Sequence, residues 1–284
     1  MKKKIVLIGC GKIFSKHVSA IYKNKKKFKL VGICDENKKK LDNININVKK
    51  FLNLNQLINS KLDFDIATIC SPSGLHKNQA IKMLKHKKHV LVEKPMALTS
   101  SDCNKMILES KKNKKELFVC LQNRFNPTII ELKKILLKKK LGKIYMINCN
   151  IFWHRSQKYY DQDNWRGTKN LDGGALMNQS IHFIDLLMWL FGETVTSQVL
   201  RAKLGRNIET EDSAIINILF KKNILCSVSA TILTNDKNYE GSITVLGEKG
   251  KIKIGGISLN KIIDWNINNK EMSIKQKKKI YLEN

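Results

Sequence analysis

No stretch of the 284-residue chain approaches the roughly 18 consecutive apolar residues that a membrane span requires, so no membrane partner is expected. The opening MKKKIVLIG is basic, but its apolar run over 5–8 is too short for a secretory leader. Paired cysteines are missing too. The seven cysteines (10, 34, 70, 103, 120, 149 and 226) are scattered without a CxxC, and several sit in apolar runs as buried small hydrophobes do. These gaps argue against a disulfide scaffold or a structural zinc site, and the expectation is a cytoplasmic protein with no metal. Arginine is also scarce. Of 53 basic side chains only Arg124, Arg155, Arg166, Arg201 and Arg206 are arginines, and 24 acidic residues leave a net charge of +29. Such a charge suggests nucleic acid. Yet the lysines are dispersed in runs such as KNKKK and LLKKK among Asn and Ile, with no aromatic-interleaved basic motif, so they read as a solvated surface and nucleic acid is not an expected partner. Where arginine persists against this background its planar two-pronged fork is needed.

What is present reads as alternating strand and helix. Strands are expected over 4–8, 28–34, 64–70, 89–92 and 117–121, with helices over 12–22, 75–87 and 100–114 between them. This alternation implies a doubly wound parallel sheet. The turn Gly9-Cys10-Gly11 after the first strand begins a dinucleotide fingerprint, although its third glycine is replaced by Phe14. Asp35 closes the second strand, where a carboxylate accepts hydrogen bonds from ribose hydroxyls and repels a 2′-phosphate, favouring NAD over NADP. The alternative is a structural glycine turn with Asp35 capping a helix. The fourth of these strands delivers Glu93, Lys94 and Pro95 at its carboxyl end, where open α/β sheets bind ligands. Lys94 is either a solvated lysine or an ammonium presented to a substrate oxygen.

Past residue 122 the pattern changes, which divides the chain into a Rossmann domain over 1–122 and an α+β domain over 123–284. Asn126 is placed to cap a helix with Pro127 at its first position, ended by Gly142. A strand over 144–153, a polar loop over 154–170 and an apolar helix over 174–191 follow. Strands over 194–203, 213–220, 224–233, 240–246 and 250–254 then make an open, mostly antiparallel sheet. On the helix, Asn178, His182 and Asp185 recur at i, i+4 and i+7 and share a face. A histidine among apolar residues is often a satisfied core group. Here, beside Gly173-Gly174, it can equally be a general base of near-neutral pKa. Asp185 then either orients the imidazole or serves structure. Arg124 either holds the nicotinamide half of a cofactor or ties the domains together. Arg201 and Arg206 either reach across a subunit interface or lie on the surface.

The segments GCGKIFSKH, SPSGLH, VEKPMALT and GG-x₃-N-x₃-H-x₂-D together resemble the Gfo/Idh/MocA oxidoreductases over nearly the whole chain. That resemblance implies an NAD-binding Rossmann domain followed by an open-faced sheet domain that forms homo-oligomers, dimer or tetramer. It implies Lys94 and His182 as the catalytic pair, with Asn178 where most members carry Asp. Cofactor contacts would come from Gly9, Gly11, Lys12, Ile13 and Asp35, from Ser71, Pro72 and His76, from Glu93 and Lys94, and from Gln122, Trp165 and Arg166. More narrowly, QNRFNPTI, IFWHRSQKYYDQDNWRGT and EGSITVLGEKGKIKIGG are similar to bacterial UDP-N-acetyl-2-amino-2-deoxyglucuronate 3-dehydrogenases. This implies oxidation of the C3 hydroxyl of a UDP-linked uronic acid for surface polysaccharide. Lys94, Arg155, Tyr159, Tyr160, Arg166, Asn178 and His182 would contact the substrate. Some such enzymes reoxidise NADH with 2-oxoglutarate, a candidate second partner. The rivals are another sugar or inositol dehydrogenase of the family and a non-catalytic NAD-binding regulator.

Overall fold

The computed structural model of the protein describes residues 1–282, which form two compact units: residues 1–120 with 170–172, and 121–169 with 173–282. The first is built on six parallel strands: β1 (Lys3–Ile8), β2 (Phe28–Cys34), β3 (Lys49–Phe51), β4 (Ile66–Ile69), β5 (His89–Val92) and β6 (Leu117–Val119). Their order is β3-β2-β1-β4-β5-β6. The chain thus runs outward to one side from β1 and then to the other from β4. In such a sheet the ligand crevice opens beyond the carboxyl ends of the two strands where the order reverses. Val6, Leu7, Ala67, Ile69, Val90 and Val92 are fully buried, as expected of central strands in a parallel sheet.

The helices of this unit are α1 (Phe14–Lys23), α2 (Lys38–Asp42), α3 (Leu54–Asn59), α4 (His76–Lys85) and α5 (Ser100–Asn113). The first helix begins two residues later than its apolar pattern suggests, because residues 11–13 complete the glycine turn. Phe14 fills the fingerprint's third position by burying its ring against Ile5, Leu7 and Ile33. Three short elements between 36 and 63 lie where no periodicity marks them. Their signal is polar: the Asn37 and Asn53 side chains accept from the Lys40 and Gln56 amides and start α2 and α3.

The second unit holds α6 (Pro127–Leu137), β7 (Ile144–Phe152), α7 (Gln157–Asp161), α8 (Ile181–Phe191), β8 (Thr194–Ala202), β9 (Ser213–Phe220), β10 (Ile224–Thr231), β11 (Glu240–Gly247), β12 (Gly250–Gly255), β13 (Lys261–Ile267), β14 (Lys270–Glu271) and α9 (Ile274–Leu282). Eight strands make one sheet in the order β14-β13-β12-β11-β7-β10-β9-β8. Its inner face packs on α6 and α8, with Ile129, Leu132, Phe183, Leu186 and Leu187 fully buried against Ile147, Val228 and Val245. Side chains of this kind contribute about 1.5–3 kcal/mol each when buried.

The sheet is mostly antiparallel, as expected; the exception is β7, which lies at its centre and runs parallel to β10, because the β9–β10 hairpin returns the chain in that direction. Lys222 and Asn223 make the hairpin turn, both left-handed at φ 70° and 55°. Three details depart from the sequence reading. The strands β13 and β14 and the helix α9 were not anticipated, although Asn268-Asn269 repeats the double left-handed turn at 52° and 59°. Asn126 does not cap α6; its amide donates to the Ser258 carbonyl at 2.5 Å. Finally, the helix expected over 174–191 begins as a π-turn over Leu176–Ser180 before α8 starts. Glu211 explains the irregular start. Its carboxylate accepts from the Leu176 amide at 2.9 Å and its carbonyl from that of Ala175, and it lies where a side chain on Gly174 would be.

Candidate active site

In the first unit the carboxyl ends of β1, β2, β4 and β5 carry most of the predicted cofactor residues, whereas Gln122, Trp165 and Arg166 belong to the second unit. Gly9 takes φ +94°, and a Cβ there would lie 2.6 Å from the Ser71 amide nitrogen, so only glycine lets the β1 turn approach the exit of β4. A Cβ built on Gly11 would meet nothing within 4 Å, leaving its side of the turn open for a phosphate to approach. Lys12 and Ile13 complete the turn, and Ile13 stands at the N-cap of α1. Asp35 fixes the shape of the cradle: its carboxylate accepts from the Cys10 amide at 2.7 Å and from the Asn37 amide at 2.8 Å. Each oxygen retains a lone pair that a ribose hydroxyl can use. The glycine turn, the open space at Gly11 and the acid fit a dinucleotide.

Ser71 and Pro72 lead into a short turn before α4, and the Ser71 hydroxyl donates to Gln79 Oε1 at 2.6 Å. His76 is not the surface residue that a helix start suggests, being 1% exposed. Its Nδ1 lies 2.8 Å from the Pro95 carbonyl and its Nε2 2.9 Å from that of Ser71. The ring therefore bridges the β4 turn and the Glu93-Lys94-Pro95 segment, and burial lowers its pKa despite those two carbonyls. The Lys94–Pro95 peptide is cis. Glu93 meets His17 Nε2 at 2.7 Å. Burial alone would raise the Glu93 pKa, but His17 and Lys94 hold it below the usual carboxylate range.

The second unit assembles most of the predicted substrate residues around a glutamine that the sequence did not single out. Gln179, in the π-turn, accepts from Arg155 Nε at 2.9 Å and contacts the Tyr159 hydroxyl at 3.3 Å and Asn178 Oδ1 at 3.2 Å. Arg166 donates to the same Tyr159 hydroxyl at 2.6 Å and to Asp163 at 2.7 Å, and its guanidinium stacks on Tyr159 and on Trp165. Tyr160 departs from the expectation: it is 5% exposed and packs with Ala175, Ile208 and Ile232. Its ring serves the core.

Arg155 is half-buried, with only neutral acceptors around it. Besides Gln179 these are the His154 carbonyl at 2.6 Å and Asn238 Oδ1 at 3.1 Å, and among the described residues no carboxylate pairs with it. Burial lowers its pKa. A desolvated guanidinium without an acidic neighbour favours an incoming anion. Arg206 sits neither free on the surface nor idle, for its Nε donates to the Arg155 carbonyl at 2.6 Å. The loop carrying it is anchored by Asp212, which is fully buried and accepts from the amides of Leu204, Gly205 and Arg206. Arg201 is exposed on β8, at the sheet edge.

His182 lies in the first turn of α8 and is 8% exposed. Gln122 Nε2 is 3.4 Å from its Nε2, a contact in which the ring nitrogen accepts from the amide only in the tautomer protonated at Nδ1, the form a general base requires. Asp185 does not orient the imidazole. Both its oxygens are held by Arg124, at 2.8 and 2.5 Å, so the pair serves to fasten the residue 122–125 turn to α8. Sequence reasoning missed Gln179, Asn238, Asp163 and Glu211, and only the proximity of Gln179 to Asn178 offered any signal.

The chain matches two family models: the Gfo/Idh/MocA oxidoreductase family, NAD-binding Rossmann fold, over residues 3–121, and the Gfo/Idh/MocA C-terminal domain over 129–253. It is similar to the solved WlbA dehydrogenase of Chromobacterium violaceum in complex with NADH and UDP-GlcNAcA, at 39% identity and TM-score 0.94, covering 99% of this chain and 81% of that one. The Bordetella pertussis WlbA dehydrogenase, in complex with the same two molecules, is similar at 38% identity and TM-score 0.92, over 94% and 82% of the chains. A glucose-6-phosphate 3-dehydrogenase of Bacillus subtilis is 28% identical over 276 residues, 92% of this chain and 77% of that one. With an NAD cradle in the first unit and a buried histidine in the second, the chain belongs to the Gfo/Idh/MocA oxidoreductases.

Proposed function

We propose that the protein oxidises the C3 hydroxyl of a UDP-linked N-acetylglucosaminuronic acid to the ketone. The observation that carries this reading is Arg155: a half-buried guanidinium without an acidic partner among the described residues, tied through Gln179 to the turn that leads into the helix bearing His182. Such a group suits the carboxylate of a uronate better than a neutral sugar. The WlbA complexes with UDP-GlcNAcA support the same substrate. NAD⁺ held at the glycine turn and Asp35 would supply the hydride acceptor for C3. His182 Nε2 takes the proton of the O3 hydroxyl, and the Lys94 ammonium donates a hydrogen bond to that oxygen as negative charge develops. Asn178, neutral where a carboxylate would repel the uronate, positions the sugar with Tyr159. Arg166 and Trp165 lie within reach of a diphosphate or the cofactor. Ser71, Pro72, Glu93 and Gln122 complete the cofactor contacts, and His76 acts on them from behind.

We also place the protein in the cytoplasm, in the supply of sugars for surface lipopolysaccharide, with 2-oxoglutarate as the candidate that reoxidises NADH. No helix among the described residues is long and apolar enough to cross a membrane. A homo-oligomer, dimer or tetramer, is supported by the outer face of the eight-stranded sheet, where Met146, Leu225 and Leu246 form one exposed apolar row across β7, β10 and β11.

The test is NADH formation with UDP-N-acetylglucosaminuronate against glucose 6-phosphate and free inositol, with the product ketone located by NMR. Turnover confined to the nucleotide uronate and a ketone at C3 is the expected result. Faster turnover of inositol or glucose 6-phosphate would support a different sugar dehydrogenase, and oxidation at another carbon would reject the pose. Lys94→Met and His182→Asn should each lower kcat by about 10²–10⁴ while NAD binding persists. Undiminished turnover in either variant would remove that residue from the chemistry.

A further inference from the structure

The seven cysteines form no pairs, yet one of them has company. His17 on α1, Glu93 just past β5 and Cys120 just past β6 come together within the first unit. His17 Nε2 lies 2.7 Å from Glu93 Oε1, and the ring nitrogen, a carboxylate oxygen and the thiol sulfur are all within 4.8 Å of one another. Among the described residues this is the one such trio. Five of the other cysteines are buried, and Cys103 has no such neighbours.

One nitrogen, one oxygen and one sulfur donor make a borderline-soft set, the kind that selects zinc over calcium or magnesium. Zinc–ligand bonds of about 2.0–2.3 Å in a tetrahedron place donor atoms roughly 3.3–3.8 Å apart, so the trio needs only small side-chain adjustments. The His17 and Glu93 side chains are 12% exposed, partly open to water. We infer that His17, Glu93 and Cys120 form a binding site for a thiophilic divalent cation, Zn²⁺, with water as the fourth ligand. Thiolate and carboxylate neutralise the ion's charge. The thiol must release its proton to solvent as the zinc–sulfur bond forms. Zinc binding is therefore coupled to release of one proton. Because Glu93 is also assigned to the cofactor, occupancy of the site competes with NAD; this last consequence rests on the proposed function, whereas the binding itself does not.

Cobalt titration of the full chain, prepared free of metal, tests the site. One equivalent of Co²⁺ should give a thiolate-to-cobalt charge-transfer band with the strong visible absorption of a tetrahedral centre, and Zn²⁺ should displace it. Cys120→Ser should abolish the charge-transfer band and weaken Zn²⁺ binding roughly 100-fold, the effect of losing one of three ligands. His17→Gln should weaken binding comparably while retaining the band at high cobalt, which keeps the test decisive if Cys120→Ser folds poorly. No band in the parent protein, a band that survives Cys120→Ser, or zinc affinity unchanged in His17→Gln would each overturn the site. If cobalt binds as described but leaves the NAD dissociation constant unmoved, the zinc site stands and the cofactor role given to Glu93 falls.

Discussion

Replacing Arg155 by Met tests the substrate assignment most directly. In the protein its guanidinium is half-buried, donates to Gln179, His154 and Asn238, and has no carboxylate beside it among the described residues. A charge-assisted hydrogen bond to an incoming carboxylate contributes about 1.5–3 kcal/mol, the upper end for a two-pronged contact. At 1.4 kcal/mol per decade, kcat/KM for UDP-N-acetylglucosaminuronate should fall roughly 10- to 150-fold. UDP-N-acetylglucosamine has a hydroxymethyl group in place of the carboxylate, so its far weaker turnover should barely respond. Arg155→Lys should recover part of the loss, since it restores the charge without the fork. Steady-state kinetics on both substrates, with thermal melting of each variant, provide the measurement. Thermal stability should change little, because the substitution also removes a desolvated charge that lacks an acidic partner. Equal losses on both substrates would mean that Arg155 merely supports the fold around Gln179. No loss on either would place the carboxylate elsewhere.

Three further outcomes follow from the geometry. Asp35→Ser should cost about 1.5–3 kcal/mol of NAD affinity and narrow the preference over NADP, measured by cofactor titration; an unchanged preference would show that Asp35 only braces the Cys10 turn. His76→Ala removes the bridge between the Ser71 and Pro95 carbonyls and leaves a buried void, so denaturant unfolding should detect a loss of about 2–4 kcal/mol, and an unshifted midpoint would refute the bridge. Burial would raise the Asp212 carboxyl, but the amides of Gly205, Leu204 and Arg206 hold it below its usual 3.8. Its contribution is therefore complete above the unfolded pKa and vanishes as pH falls through the folded one. Asp212→Asn should accordingly be less stable by about 1.5–3 kcal/mol at neutral pH and converge with the parent as pH falls below the ordinary carboxylate range. A gap that stays constant with pH would contradict this.

The parts of the fold legible in the sequence are those that local chemistry dictates. The second strand, 28–34, has the bounds its apolar run suggests, and Lys222-Asn223 turns between the two strands expected on either side of it. The elements between 36 and 63 escaped because they are too short for periodicity to register, and their asparagine caps were the readable clue. Site residues divide in the same way. Gly9, Gly11 and Asp35 were legible because a glycine turn and an acid each end an apolar strand, although Ser71 and Cys10, the groups that Gly9 and Asp35 meet, come from other turns. The π-turn at 176–180 was not legible, because its cause, Glu211, lies some 30 residues further along. Gln179 escaped for the same reason: its importance comes from Arg155, Tyr159 and Asn178 arriving around it. Asp185, though correctly placed on the helix, turned out to be claimed by Arg124 from another turn.

The central position of β7 also bears on how the molecule is made. Its neighbours on either side, β10 and β11, lie far downstream, with Phe152 opposite Thr231 and Glu240. At a synthesis rate of about 5–20 residues per second, the nascent strand waits several seconds on the ribosome with both edges bare. Ile147, Cys149 and Ile151 are therefore exposed to any other unfinished chain during that interval. For this half of the protein, the period of greatest vulnerability to misassembly comes before the sheet exists.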